Sequence, residues 1–416
     1  MVEENTILFP PVKINMLKKL LFSNLKLLKH ANLVILDGQQ KHVFGSNRES
    51  LKAEITVEDQ AFYKYIVFGG SIGASEAYMN GYWSSPNLTN VIRVFAVNQE
   101  LTEKLETKFN FLIKPLFKLI HYLNKNSIKN SQRNISAHYD LSNDFFKLFL
   151  DETMMYSSAI FKNKSQSLHH ASLNKLDIIC KKLQLKRTDH IIEIGTGWAG
   201  FAIYAAEKYG CRVTTTTISR QQYNFAKELI KKKRLTKQIN LLFKDYRHLS
   251  GQFDKLVSIE MIEAVGHHYY PEYFKQVSSL LKPTGMGLIQ AITIRDQRYN
   301  EAVKTVDFIQ KYIFPGSCIP SIDIIQSTIT RHTDLIISDL ENINVHYAKT
   351  LTLWQKSFNK NSKKIMSLGF DERFMKMWNY YFSYCAGGFQ ERAINDFHIL
   401  LSKPLNRLPQ NEKDLL

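Results

Sequence analysis

The sequence predicts an α/β protein: a doubly wound parallel sheet with a smaller α+β domain ahead of it. Three observations predict it. Short apolar strands alternate with amphipathic helical stretches through the later part of the 416-residue chain. A glycine turn, Gly195-Thr196-Gly197-Trp198-Ala199-Gly200, joins a strand to a helix early in that alternation. The first hundred or so residues instead set strand-like segments beside helical ones.

In chain order, 14–29 places apolar residues at helical spacing with lysines between them. That pattern fits a basic helix on a membrane surface, and somewhat better a helix packed on the first domain. Strand-like segments at 33–36 and 51–56 follow, separated by a turn at Asp37-Gly38. Segments 62–71, with Gly69-Gly70, and 74–83 complete a domain over 1–104. Residues 105–133 read as a basic amphipathic helix, kinked at Pro115, and a polar linker. The second domain spans 134–416. Its core unit is a strand at 190–193, the glycine turn, a helix at about 201–208 and a strand at 212–217. A helix at 221–233, strands at 239–243 and 255–259, a helix at 271–281, a turn at 283–285 and a strand at 286–294 come next. An insertion at about 300–333, carrying Tyr312, Phe314, Pro315 and Gly316, reads as an aromatic lid. A strand near 336–344, helices at 347–360 and 371–388, and a strand at 397–401 close the sheet.

Composition narrows the function. Hydrophobic residues make up 44% and aromatics 12%, enough for packed cores. Fifty-five basic against 38 acidic residues leave a net charge of +17, which favours an anionic partner, nucleic acid or an acidic bilayer surface. Cys180, Cys211, Cys318 and Cys385 form no CxxC pair, so neither a metal site nor a disulfide framework is expected and a reducing cytosol fits. No apolar run reaches the roughly 18 residues of a membrane span, and the amino terminus has no signal-peptide pattern. The expected location is therefore cytoplasmic, with peripheral association on the inner face of the membrane.

The glycine turn fits GxGxxG, the dinucleotide pattern. Two neighbours favour another ligand. Glu193 stands two residues before the first glycine, where it repels phosphate and attracts an amino group. The second strand ends in Thr215-Thr216-Thr217, without the acidic residue a dinucleotide ribose meets. These suit a nucleoside carrying an amino acid, such as S-adenosylmethionine. A dinucleotide and a purely structural turn stay open on the motif alone.

Several stretches in order extend the reading: HYDLSNDFFKLFLDETMMYSSAIF at 138–161, the glycine turn, DKLVSIEMIEAVGHHYYPEYF at 254–274, QAITIRDQRYN at 290–300, DFIQKYIFPG at 307–316, VHYAKTLTLW at 345–354 and MWNYYFSYCAGGFQERAINDF at 377–397. Together they resemble the cyclopropane-fatty-acyl-phospholipid synthases and the related mycolic-acid cyclopropane synthases. FGGSIGASEAYMNGYW at 68–83 is similar to that family's N-terminal domain. The resemblance implies a seven-stranded, Rossmann-like S-adenosylmethionine-dependent methyltransferase domain over 134–416 behind a lipid-binding-like domain. It implies transfer of a methylene unit to the cis double bond of an unsaturated phospholipid acyl chain, with bound bicarbonate in the proton removal, and a homodimer. A methyl-branched or methylene product, and a lipid-binding protein without turnover, are the alternatives. No (N/D)PP(Y/F) motif supports a nucleic-acid methyltransferase, so nucleic acid is not an expected partner.

Residue by residue, the resemblance gives Tyr156 and Ser157 to the methionine part of the cofactor and Gly195 and Gly197 to its turn. Thr217 and Gln222 fall near the ribose and methionine, and Asp245 and Tyr246 at the adenine. Glu263 and Tyr347, with the aromatics of the insertion, answer the need of a developing carbocation for negative potential and aromatic faces. Ser158, Gln290 and Ile292 join Glu263 and Tyr347 around the bicarbonate. Ser158 replaces a cysteine and Gln290 a histidine found in other members, so the anion would meet neutral donors and Ser158 would offer its backbone N–H. Cys385 aligns with a cysteine given a catalytic role in the family. The chemistry needs no thiolate, and Cys385 reads as a small apolar lining residue.

Overall fold

The computed structural model describes residues 12–101 and 141–407. One compact unit takes in Met1–Tyr122, Thr305–Ile313 and Ser362–Ala393; the other takes in Leu123–Lys304, Phe314–Asn361 and Ile394–Leu416. The helix and linker expected over 105–133, with the Pro115 kink, and the opening residues of the 138–161 stretch lie outside the described residues. The helix at Glu372–Gln390, which the sequence reading assigned to the second domain, belongs to the first unit.

In the first unit, β1 (Asn32–Asp37), β2 (Gln40–Gly45), β3 (Lys52–Val57) and β4 (Trp83–Ser84) form a sheet in the order β2-β1-β3-β4. The β1–β2 hairpin turns at Gly38, whose φ of +56° suits glycine. β2 escaped the sequence reading because Gln40 and Lys41 are exposed and its apolar alternation is weak. Segments read separately at 62–71 and 74–83 instead form one helix, Ala61–Met79, interrupted at Gly70 (φ 55°, ψ −136°). The helix Ile14–Leu25 buries Leu17, Leu21 and Leu25. Met16 on its outer side and Leu27 just beyond it stay exposed, among exposed Lys13, Lys19, Lys26 and Lys29. Each of the two readings of that helix therefore keeps a face.

The second unit carries β5 (His190–Ile194), β6 (Arg212–Thr217), β7 (Ile239–Phe243), β8 (Phe253–Ile259), β9 (Leu281–Ile294), β10 (Ile336–Asn342) and β11 (Ile394–Ser402). Their order is β10-β11-β9-β8-β5-β6-β7. The pairs from β9 to β7 are parallel, while β11 runs antiparallel between β9 and β10. Alternate side chains point to opposite faces. Ile191, Val213, Val257 and Leu288 pack with Leu176, Ile179 and Phe201 on one face. Ile192, Leu256, Ile289 and Ala291 pack with Phe274, Val277 and Ile329 on the other. Buried apolar surface on both faces is what makes the sheet doubly wound, as the sequence predicts.

Two boundaries differ from expectation. The 283–285 turn is absorbed into β9: pairing with β8 jumps from Phe253↔Leu281 to Lys255↔Met286, so Pro283–Gly285 bulges out of a continuous strand. The helix after the glycine turn is short, Gly200–Tyr204, and passes into a π turn at Ala205–Tyr209 that ends on left-handed Gly210.

Gly200 is fixed by space. A Cβ there would lie 2.7 Å from the Thr153 carbonyl oxygen and 2.6 Å from Met155 Sδ. Gly200→Ala is expected to lower unfolding stability by about 1–3 kcal/mol, read from a shifted denaturant midpoint at unchanged m value.

Candidate active site

The carboxyl ends of β5 and β8 meet at the crevice where α/β sheets bind ligands. Two left-handed glycines shape the floor: Gly195 at φ +100° and Gly197 at φ +52°. A Cβ on Gly197 would meet nothing within 4 Å, and one on Gly195 only the Met261 side chain. The turn thus leaves open space beside Gly197. Its donors are another matter. The Gly195 and Thr196 N–H groups both donate to the Thr216 carbonyl, at 3.1 and 2.9 Å, closing the turn onto β6.

Glu193 lies on the buried side of the turn. It is 3% exposed, and the Thr215 hydroxyl donates to it at 2.5 Å. Burial pushes its carboxyl up to about 8. The bond from Thr215 ties β6 to β5. The other cofactor candidates line the same sheet edge. The Thr217 hydroxyl donates to Gln222 Oε1 at 3.0 Å and accepts from the Ser219 N–H. Asp245 is gripped by Arg247 through Nε at 2.9 Å and Nη2 at 2.8 Å, which holds its carboxyl below the ordinary range against the opposing effect of burial. Tyr246 packs edge-on against Tyr273. The Ser157 hydroxyl accepts a hydrogen bond from Lys175.

Beside this edge stands an aromatic cluster. Tyr156 lies 5.3 Å from Trp354, 5.4 Å from Phe146 and 6.3 Å from Phe314, centroid to centroid. Tyr347 meets Trp354 edge-on at 6.3 Å. The buried Trp354 Nε1 has no partner among the described residues. Of the lid aromatics, Phe314 joins this cluster, whereas the Tyr312 hydroxyl donates to Glu76 in the first unit.

The expected anion cradle assembles around a residue that the sequence reading did not single out. Glu260 follows β8 directly and adopts φ +47°, a left-handed conformation that is costly for a non-glycine residue. Its Oε1 accepts from the Ser158 backbone N–H at 2.8 Å and from Gln290 Nε2 at 2.6 Å. Its Oε2 accepts from the Tyr347 hydroxyl. The Ser158 hydroxyl turns away to the Ala159 carbonyl. Glu263 sits one short turn further on and accepts the Ile292 N–H at 2.5 Å, while its other oxygen has no partner among the described residues. Of the six catalytic candidates, Ser158, Glu263, Gln290, Ile292 and Tyr347 therefore gather here. Cys385 is half-buried on the helix Glu372–Gln390 of the first unit.

A second layer supports the first. Gln290 Nε2 also donates to Asp396 at 2.9 Å, and Gln290 Oε1 meets His398 Nε2 at 3.3 Å. Lys175 is fully buried beneath them. Burial lowers its ammonium to about 8, opposed by the charges of Glu260, Asp396 and Asp151. Burial raises Glu260, opposed first by Lys175 and then by its three hydrogen bonds. Burial and then the Glu260 charge push Glu263 up to about 8. Asp396 is raised by burial and by both glutamates. Burial drives His398 down to about 3, so it is neutral. Neighbouring carboxylates do not all ionise together. Glu260 has three donors and the largest share of the Lys175 field, and both favour its ionised form over those of Glu263 and Asp396. The donors therefore favour negative charge one turn before Glu263, at Glu260. The signals available were two glutamates three residues apart at a parallel strand end, and Lys175 in the apolar stripe Ala171-Lys175-Ile179.

A family model described as mycolic acid cyclopropane synthetase matches residues 126–399. The chain is 38% identical over 335 residues to a tuberculostearic acid methyltransferase of Mycobacterium tuberculosis, covering 78% of this chain and 77% of that one. It is 35% identical over 359 residues to the cyclopropane-fatty-acyl-phospholipid synthase of Escherichia coli, covering 85% and 89%. Its fold is similar to that of a mycolic acid cyclopropane synthase solved in complex with SAH and CTAB, at 30% identity and a TM-score of 0.60 over 65% of this chain and 98% of that one.

The raised Glu263 carboxyl has a consequence for stability. Its folded value, about 8, lies above the unfolded 4.5, so the folded state binds the extra proton between them. Stability from this group is present below about pH 4.5 and is lost as pH rises toward 8. Glu263→Gln removes the titration. Its melting temperature relative to the parent is expected to rise steadily from pH 5 to pH 8.5 by differential scanning fluorimetry; a constant offset would contradict the assignment.

Proposed function

The chain belongs to the mycolic acid cyclopropane synthetase family, and on that premise we propose that it transfers a methylene unit from S-adenosylmethionine to the cis double bond of an unsaturated phospholipid acyl chain. The observation that carries this reading is the juxtaposition of an open glycine floor, an aromatic cluster and a carboxylate held by three donors at one sheet edge.

S-adenosylmethionine, when bound, supplies an electrophilic methyl group. Gly195 and Gly197 leave it room, and Tyr156, Ser157, Thr217, Gln222, Asp245 and Tyr246 are the residues proposed to hold it. An alkene is a weak nucleophile with no proton to lose first, so alignment supplies much of the rate. The π pair forms the new carbon–carbon bond and leaves a cation on the neighbouring carbon. The faces of Tyr156, Trp354 and Phe314 and the edge of Tyr347 would stabilise that cation and exclude water. Loss of a proton from the added methyl then closes the ring. Cys385 takes part in no step of this sequence.

Bicarbonate does not fit as a resident group. The Ser158 N–H, the Gln290 amide and the Tyr347 hydroxyl that would hold it already end on Glu260. No step is routed through it.

A methyl-branched or methylene product is the second reading, favoured by the 38% identity to a methyltransferase. Purified protein given S-adenosylmethionine and unsaturated phospholipid is expected to add one CH2 per double bond by mass spectrometry. Proton NMR of the lipid then separates a ring from a methyl or methylene group. Absence of any mass gain across unsaturated lipids would defeat the proposal.

The enzyme would meet its lipid at an anionic bilayer surface, and the assembly proposed with it is a homodimer. Among the described residues no helix is long and apolar enough to cross a membrane. Exposed Met16 and Leu27, flanked by exposed lysines, offer an apolar and basic face, and the net charge of +17 adds to it. Sedimentation with phosphatidylglycerol vesicles is expected to fall severalfold as salt rises from about 50 to about 300 mM. A flat response would remove the electrostatic part of this reading.

A further inference from the structure

Glu260 occupies the donors that the family resemblance assigns to a free anion. Three of them converge on its carboxylate: one backbone N–H, one amide and one hydroxyl. A second anion among the same donors would face like charge at hydrogen-bond distance. We infer that the Glu260 side chain takes the place of bicarbonate, so that the proton acceptor of the reaction is built into the chain and no added anion is required. This rests on the reaction proposed above.

The geometry supports a base and not merely a structural acid. Oε1 accepts two hydrogen bonds, whereas Oε2 accepts one, from Tyr347, and keeps a lone pair in hand. Glu260 is half-buried, so its carboxylate keeps some accessible surface. Its left-handed backbone, held by the N–H donating to the Gln290 carbonyl at 2.9 Å, fixes the carboxylate where the next strand supplies donors. Strain of this kind persists where the surroundings over-determine it. Lys175 is the buried cation that offsets the charge.

The step balances. The alkene pair forms the bond to the methyl carbon as the carbon–sulfur bond breaks and its pair stays on sulfur. A C–H bond of the new methyl then breaks. Its pair closes the ring on the cationic carbon, and the proton goes to Glu260 Oε2. Glu260 returns the proton to water once the lipid product leaves.

The test compares the parent with Glu260→Gly and Glu260→Gln in buffer stripped of carbon dioxide and in the same buffer with bicarbonate. Glycine accepts the left-handed backbone at this position, so the first variant is suited to keep the fold. The isosteric glutamine keeps the cradle filled. The parent is expected to turn over equally in both buffers. Both variants are expected to lose about a hundredfold or more in stripped buffer. Bicarbonate is expected to restore Glu260→Gly by about tenfold or more and to leave Glu260→Gln unrestored. As an activity-free readout, 13C-labelled bicarbonate should broaden in NMR with Glu260→Gly and stay sharp with the parent. A parent that needs bicarbonate, or binds it, overturns the inference. If the parent modifies no lipid in either buffer, the proposed reaction fails, and the labelled-bicarbonate comparison still decides whether Glu260 fills the anion site.

Discussion

A carboxylate kept ionised away from bulk water must be answered by donors and by opposite charge, and here one ammonium serves three acids. Lys175 lies under Glu260 and Asp396, with Glu263 beside them, and the net charge the pocket tolerates follows from that ratio. The hydrogen bonds decide where the charge goes. Among the described residues Glu260 collects three donors, Asp396 the shared Gln290 amide, and Glu263 the Ile292 N–H. His398 remains neutral and adds no charge of its own. The rest of the site is arranged around this division: an aromatic wall on one side, a glycine floor on the other.

The pieces come from distant parts of the chain, and the sheet is what unites them. Glu260 ends β8, while Gln290 and Ile292 lie on neighbouring β9. Asp396 pairs with Ile292, and His398 with Gln290, across the antiparallel β9–β11 ladder. Ser157 and Ser158 arrive on the loop before the helix Leu168–Lys182, which carries Lys175. Tyr347 and Trp354 stand two turns apart on the helix Asn344–Lys360. No single motif of the family holds all of these, which is why a partial match to its strings says little about the chemistry.

Much of the fold was legible because its periodicities are strong. β5 and β8 fall where short apolar runs place them, since burial on both faces leaves no other solution. Polar β2 was not legible, because an exposed edge strand needs little apolar pattern. Nor was the bulge in β9, where Pro283 and Gly285 look like a turn until the neighbouring strand is known. At the site, Ser158, Glu263, Gln290, Ile292 and Tyr347 could be named from the family strings. Glu260 stood in one of those strings unremarked. Its importance lies in a backbone angle and in partners about 30 to 100 residues away in sequence, neither of which periodicity encodes. At Glu193 the position was legible, but not the burial that raises its carboxyl or the Thr215 hydrogen bond that opposes this.

β11 is the last strand of the sheet in sequence, yet it lies inside the sheet, between β9 and β10. A ribosome making this protein would therefore deliver the ammonium of Lys175 and both glutamates long before Asp396 and His398. Until that final strand slots in, Gln290 lacks the neighbours on its far side. An unfinished chain thus holds the reactive groups without the arrangement that disciplines them, and synthesis itself delays the appearance of a competent catalyst until β11 has been made.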